Sequence, residues 1–456
     1  MTTDAALDTP SRQSPATLRV RRGPALRGTL VPPGDKSISH RAFLLATLAT
    51  GTTEIRAALE SGDCGHSVAA AAALGCRIWR EDGATYVDSP GLRGLHEPAA
   101  AIDCGRSGTT MRLLCGLLAG RPFPTFLIAD PQLAQRPMGR VLAPLAAMDA
   151  QFLARSGGTR APIAFAGSGL HGHRHVLRVA SAQVKSALLL AGLDAVGPTE
   201  VVEPGPARDH TERMLLAQGA PLTSGVGAEG RWHRITRLTE PLSPLRLTVP
   251  ADPSSAAFPL VAACLVPGSH VWLRNVGLNP TRAGIVRVLQ RMGARITLHA
   301  ERMTGGEPVA DLEIEAGPLH GTEVAGEEVV TLIDELPILA VAAACAIGQT
   351  TVRDAAELRV KETDRIACTA EQLQAMGADI TATPDGWQIG GGTLRGAAVH
   401  SHGDHRLAMA LTVAGLVASG LTRVDDAACA ADSYPGFVGD LRALGALIDD
   451  LETPAC

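Results

Sequence analysis

The stretch VLQRMGARITLHA, residues 288–300, sets the fold. A helical run closes on Met292, Gly293-Ala294 stops it, and RITLHA alternates polar and apolar residues. A glycine just past the last turn is a helix terminator, and strict alternation is the mark of a half-buried strand. The same signature recurs at Leu74-Gly75-Cys76, Met148-Asp149-Ala150, Gln218-Gly219-Ala220, Met376-Gly377-Ala378 and Leu444-Gly445-Ala446. Its central positions are separated by 74, 70, 74, 84 and 68 residues. Six units of about 76 residues therefore account for the chain, a repeat architecture. Asp149 stands where the other units have glycine, which makes that helix end the weakest of the six.

Each unit reads alike. A polar, small-residue opening leads into an Ala/Leu-rich run that suits a buried helix, as in SHRAFLLATLATG and HRLAMALTVAGLVASG. A glycine and a β-rich segment follow (GTTEIR, GSHVWLR, GQTTVRD), then an amphipathic helix, the Gly-Ala stop and another strand. The order is β-α-β-α-β-β, an α/β class. The six buried-helix openings are GDKSISHR, GRSGTTMR, SAQVKS, DPSSAAF, DELPIL and GDHRLAM. Helix N-termini carry unsatisfied N–H groups and partial positive charge, so several converging on one cleft attract anions.

At 456 residues the chain exceeds one ordinary core, and two domains are expected. Aromatics are only 3%, so Ala, Leu and Val fill the interior. A net charge of −5 and a pI near 6.3 argue against a general nucleic-acid surface. The longest nearly apolar run, LPILAVAAACAIG, has 13 residues, too few for a membrane span. The N-terminus lacks an apolar signal core and reads as a flexible cytoplasmic tail. Nine cysteines form no C-x-x-C pair, and scattered reduced thiols are expected. The positive charge is 38 arginines and three lysines, Lys36, Lys185 and Lys361. Against that bias toward arginine, each lysine asks for a reason.

PGDKSISHR, CGRSGTTMR, QRPMGR, SAQVKSA, DPSSAAFPLVAA, LRVKETDR and GDHRLAMA, in this order, resemble the 5-enolpyruvylshikimate-3-phosphate synthase family across nearly the whole chain. The resemblance implies transfer of the enolpyruvyl group of phosphoenolpyruvate to shikimate 3-phosphate, with release of phosphate, in the shikimate pathway to aromatic amino acids. It implies the two-domain enolpyruvyl transferase fold, six β-α-β-α-β-β repeats with three per domain, and two chain crossings. Residues 1–33 and 250–456 are then one discontinuous domain and 34–249 the other, with the hinge near 32–34 and 249–252. No cofactor and no metal are implied. The partners are the two small-molecule substrates, without nucleic acid or membrane, and the protein is a cytoplasmic monomer. Glyphosate, the family's inhibitor, takes the phosphoenolpyruvate subsite.

By motif position the resemblance assigns Lys36, Ser37, Arg41, Thr109, Ser181, Gln183, Arg208, Asp334 and Lys361 to shikimate 3-phosphate. It assigns Lys36, Gly108, Arg136, Arg365 and Arg406 to phosphoenolpyruvate. Asp334 matches the base for the attacking hydroxyl, Glu362 the acid and then base at C3, and Lys36 the proton source for the departing phosphate. An ammonium can release a proton where a guanidinium cannot, which explains lysine at 36. Lys361 fits as a compact charge beside a substrate hydroxyl and Glu362.

The residues alone also allow plainer readings. Asp334 could cap a helix, and Glu362 and Arg365, at i and i+3, could form a helix ion pair. Lys185 has no catalytic role in the resemblance and reads as structural. His402 and His405 lack the companions of a metal site, and His405 reads as a hydrogen bonder at the cleft. HGHRH, residues 171–175, reads as an exposed turn. Three positions depart from the family pattern: Arg106, where many members have Asn, Ala182, where some have a second Ser, and Ser433, where some have Lys. The rival families are UDP-N-acetylglucosamine enolpyruvyl transferase and, more distantly, RNA 3′-phosphate cyclase. The first usually opens with Lys-Asn and uses a mobile-loop cysteine, and no nucleotide motif marks the second.

Overall fold

The computed structural model describes residues 17–451. Of the tail expected to be flexible, MTTDAALDTPSRQSPATLRV (1–20), residues 1–16 lie outside them, as does Cys456. Thr17–Val20 is corrected to strand, because it pairs with neighbours on both sides. Six four-stranded sheets share one strand order. In unit three, Arg174–Val176, Thr199–Glu203, Gly230–Ile235 and Leu222–Gly227 lie side by side, the first pair parallel and the others antiparallel. A parallel pair needs a crossover, and the helix Ala182–Gly192 supplies it. An outer helix, His210–Ala217, leads into the hairpin, giving the β-α-β-α-β-β unit.

The inner helices are held by burial on every side, their later turns being mostly Ala, Leu and Val. All nine residues of Leu336–Ala344 are buried. The outer helices are amphipathic. Gly284–Arg291 buries Ile285, Val286, Val288 and Leu289 and exposes Arg287, Gln290 and Arg291. At the end of that helix Gly293 has φ of 95°, with Ala294 N donating to Leu289 O and Gly293 N to Gln290 O, both at 2.9 Å. This is a Schellman stop. Asp149 closes its helix in the same way at φ of 68°, with Ala150 N on Leu145 O at 3.1 Å and its own N on Ala146 O at 3.0 Å. Asp is among the few residues that tolerate this left-handed conformation, so the weakest stop of the six is intact.

Two hydrophobic cores result, one drawn from positions 38–249 and the other from 18–30 and 256–448. Three sheets are finished by distant chain. Thr17–Arg21 inserts between Leu421–Asp425 and Leu447–Leu451. Arg27–Leu30 lies parallel to His270–Gly277, and Arg246–Thr248 parallel to Thr50–Arg56. The chain passes between the cores twice, and the two passages are hydrogen-bonded to each other. Asp35 N donates to Pro250 O and Asp252 N to Pro33 O, both at 2.8 Å. A Cβ on Gly34 would lie 2.0 Å from Ala57 O, so only glycine fits there. Buried Arg282 spans both passages, reaching Asp35 Oδ2 at 3.1 Å and Asp252 Oδ1 at 2.9 Å.

The HGHRH turn is corrected. Its last two residues open the edge strand Arg174–Val176, and His175 is buried, because pairing with Thr199–Glu203 turns alternate side chains inward.

Candidate active site

Five of the six inner helices are capped by the side chain of Asp35, Ser107, Ser181, Asp252 or Asp404. Each cap satisfies one orphan N–H and leaves the rest of the first turn facing the cleft. Lys36 and Ser37 open the first helix, Gly108 and Thr109 the second, and Ser181 and Gln183 stand at the start of the third. Arg406 lies in the first turn of the sixth. Outer-helix openings contribute as well. Arg208 precedes His210–Ala217, Arg365 begins Arg365–Ala375, and Lys361 and Glu362 lie just before it. Arg136 lies between Pro131–Ala134 and Gly139–Ala146.

Several of the contacts that join the two halves of the chain lie in this cluster. Arg208 Nη2 donates to Asp334 Oδ2 at 2.5 Å, Arg136 stands 3.9 Å from Glu362, and Lys36 Nζ donates to Asp432 O at 3.4 Å. Asp334 also has Arg365 at 3.4 Å and Lys361 at 3.6 Å. It makes no helix cap. It sits in the 3-10 turn Ile333–Glu335, and its carboxylate is spent on cations. Burial alone would raise its pKa, yet Lys361, Arg406, Arg208 and Arg365 together hold it well below the usual carboxylate range. Glu362 accepts from Arg365 Nη2 at 2.7 Å, so the i, i+3 pair exists, and it lies inside the cluster. Its pKa is likewise lowered, with burial overcome chiefly by Arg365.

Arg365 is 1% exposed and is anchored from behind by Asp404, Oδ2 to Nε at 2.8 Å. Arg41 is buried too, giving Nε to Thr211 and Nη2 to Ser186 at 2.7 and 3.1 Å. Burial brings it down to about 10, the opposing pull of Glu212 notwithstanding. Gln183 bridges Thr109 and Arg112, at 3.0 and 2.8 Å. Lys36 Nζ lies 2.6 Å from Asp63. His405 makes no side-chain hydrogen bond to protein among the described residues. Burial, with Arg406 and Arg365 beside it, pushes its pKa down to about 3.

The sequence reading missed Asp63, Asp404 and Glu335, each of which holds a cation of the cluster, and Arg112, which holds Gln183. Only the conspicuous Asp of GDHR, a helix cap by position, gave a signal. Lys185 is fully buried between Glu203 at 2.9 Å and Glu212 at 2.6 Å, with His233 2.9 Å from Glu203. Arg106 is an exposed residue paired with Asp130 at 3.0 Å. Cys104 and Cys115 are buried, and burial raises both thiols, Cys115 to about 12. Neither resembles a loop nucleophile. No helix among the described residues is long and apolar enough to cross a membrane.

Comparison with known proteins agrees with this arrangement. The family model for EPSP synthase (3-phosphoshikimate 1-carboxyvinyltransferase) matches residues 20–441. A 3-phosphoshikimate 1-carboxyvinyltransferase of Synechococcus sp. (strain RCC307) is 51% identical over 92% of this chain and 98% of its own length. That of Herpetosiphon aurantiacus is 50% identical over 90% and 95%. A solved EPSP synthase from Acinetobacter baumannii superposes with a TM-score of 0.88 at 40% identity, covering 95% of this chain and 99% of that one. The fold is thus the two-domain one expected, with three repeats in each domain. With the family model spanning nearly every motif and both cores, the chain belongs to the EPSP synthase family of transferases.

Proposed function

We propose that the protein transfers the enolpyruvyl group of phosphoenolpyruvate to the 5-hydroxyl of shikimate 3-phosphate and releases phosphate. The carrying observation is that Asp334 and Glu362 stand among Arg208, Arg136, Lys361, Arg365 and Arg406, drawn from both cores. Two substrates that each bear phosphate and carboxylate need that many cations, and arginine suits bidentate capture.

Asp334 takes the proton of the 5-hydroxyl as its oxygen bonds to C2, while Glu362 delivers a proton to C3. Glu362 then removes a proton from C3, the C2–O bond to phosphate breaks, and Lys36 supplies the proton to the departing phosphate. The cations that now hold both carboxylates ionised are those the substrate anions engage. Occupancy therefore raises both carboxylates toward a useful acid–base range. Lys36, Ser37, Arg41, Thr109, Ser181, Gln183, Arg208, Asp334 and Lys361 receive shikimate 3-phosphate in this reading. Lys36, Gly108, Arg136, Arg365 and Arg406 receive phosphoenolpyruvate.

The same reading makes 1–33 with 250–456 and 34–249 the two domains, hinged near 32–34 and 249–252, in a cytoplasmic monomer open to glyphosate. The paired passages support the hinge. Phosphate release from phosphoenolpyruvate, measured with and without shikimate 3-phosphate, is the test, with UDP-N-acetylglucosamine as decoy acceptor. Release only with shikimate 3-phosphate is expected, and release with the decoy instead overturns the assignment.

A further inference from the structure

Glu335 is the buried carboxylate that the mechanism leaves unused. It follows Asp334, is 1% exposed, and makes no cap for the helix it precedes. Its Oε1 accepts from Ser254 Oγ and lies 3.6 Å from Arg406 Nη1. Ser254 Oγ in turn accepts from Arg282 Nη2 at 2.7 Å. Arg282, 2% exposed, holds Asp35 and Asp252, the caps of the first and fourth inner helices at the two chain passages. One buried chain of contacts thus runs from Arg406 through Glu335, Ser254 and Arg282 to both passages.

A plain stabilising role explains this poorly. Glu335 Oε2 has no hydrogen-bond partner among the described residues although it is buried, and an orphaned carboxylate oxygen costs stability. Burial raises the Glu335 pKa against the pull of Arg406 and Arg282, so the group is held there by its geometry, facing a cleft arginine on one side and the passages on the other. We propose that Glu335 is a positioning residue, which fixes Arg406 for phosphoenolpyruvate and ties its placement to the paired passages. The inference rests on the function proposed above.

Its test is steady-state kinetics of the full chain with both substrates, on Glu335→Gln and Ser254→Ala, with thermal unfolding in parallel. Gln keeps the size and the bond to Ser254 but removes the charge facing Arg406. The expected result is a rise of about tenfold in the KM for phosphoenolpyruvate, inside the roughly 10²-fold that an ångström of misplacement causes. The KM for shikimate 3-phosphate, which depends on the adjacent Asp334, should move by less than about twofold on the same scale. Ser254→Ala should move the same constant in the same direction, and the double variant should show less than the product of the two changes.

An unchanged phosphoenolpyruvate KM in Glu335→Gln overturns the proposal. So does a parallel rise in both KM values with a lower unfolding temperature, the pattern of a purely structural residue. If Glu335→Gln does not accumulate folded, Ser254→Ala alone decides by the same criterion. Absence of turnover in the unmodified protein would overturn the functional reading and this inference with it. Turnover in the unmodified protein with unmoved variants overturns the inference only.

Discussion

Arg208 and Asp334, 126 residues apart, meet across the cleft at 2.5 Å. The pair is ready-made for exchange, since a substrate anion that takes the guanidinium frees the carboxylate. Kinetics in the free enzyme and in the complex should therefore titrate differently. With its pKa lowered, Asp334 is ionised in the free protein down to strongly acid pH. Once substrate engages the surrounding cations, that depression weakens and the pKa rises. The acid limb of kcat should lie at higher pH than the acid limb of kcat/KM. Coincident limbs would count against this coupling. Asp334→Asn should lower kcat by at least about 100-fold, the ordinary scale of a lost proton-transfer group.

Lys36→Arg should also cost at least about 100-fold in kcat at saturating substrates. The charge survives and could still meet Asp63, which lies 2.6 Å from Nζ. A guanidinium, though, gives up no proton near neutral pH. Near-native turnover would leave Lys36 with charge alone as its role.

Asp404→Asn should destabilise the fold by about 2 kcal/mol, because the buried guanidinium of Arg365 loses one of three carboxylates and keeps Glu362 and Asp334. Burial would raise the Asp404 pKa, yet Arg365 brings it down to about 2. A depressed carboxyl stabilises above its unfolded pKa and loses that contribution as pH falls through the folded one. About 2 kcal/mol should therefore be present above roughly pH 4 and disappear toward pH 2. Urea unfolding of both proteins from pH 6 downward reads this directly, as a gap that narrows below about pH 4. A gap independent of pH would refute it.

Lys185→Met removes the one ammonium between Glu203 and Glu212. Uncompensated buried carboxylates should cost about 3–5 kcal/mol, visible as a lower urea midpoint. The KM values of the surviving folded protein should stay near native. Lost activity at an unchanged midpoint would move Lys185 from the scaffold to the chemistry.

Gly108→Ala has a structural target. A Cβ there would lie 2.6 Å from Arg112 Nη1 and 3.6 Å from Leu133 Cδ1. The guanidinium must give way, and with it the contact to Gln183 at 2.8 Å. Overpacking of this kind costs about 1–3 kcal/mol, or about 5- to 150-fold in affinity. The unmodified protein should be inhibited by glyphosate competitively against phosphoenolpyruvate, and the alanine form markedly less. Inhibition curves at matched phosphoenolpyruvate decide it, and equal sensitivity of the two forms would be fatal to the idea.

Local signals made the scaffold legible. A helix stop is written in adjacent residues, so the six-unit reading survived even Asp149, whose φ of 68° takes the glycine slot. First-turn residues were readable for the same reason, since each opening motif is contiguous. The supports behind them were not. Arg282 and Asp35 are 247 residues apart, and neither sequence position announces the other. Lys185 looked exceptional only by composition, and its purpose emerged once Glu203 and Glu212 folded around it. His405 was legible only as a polar side chain beside a helix cap, and the arginines that lower its pKa, Arg406 and Arg365, come partly from a distant stretch of chain.

The strand Thr17–Arg21 pairs with Leu421–Asp425 and Leu447–Leu451, so the first strand described needs the last one before its sheet exists. Arg246–Thr248, by contrast, completes the sheet of unit one as soon as it is made. On a ribosome, which releases the chain from its N-terminus, the segment up to residue 249 can fold while the rest is still being synthesised. The opening strands wait through that whole interval with unpaired edges, open to wrong partners. Birth, for this chain, is the period of greatest exposure to aggregation. A shortened N-terminus would prolong it indefinitely, by leaving two finished sheets each short of a strand.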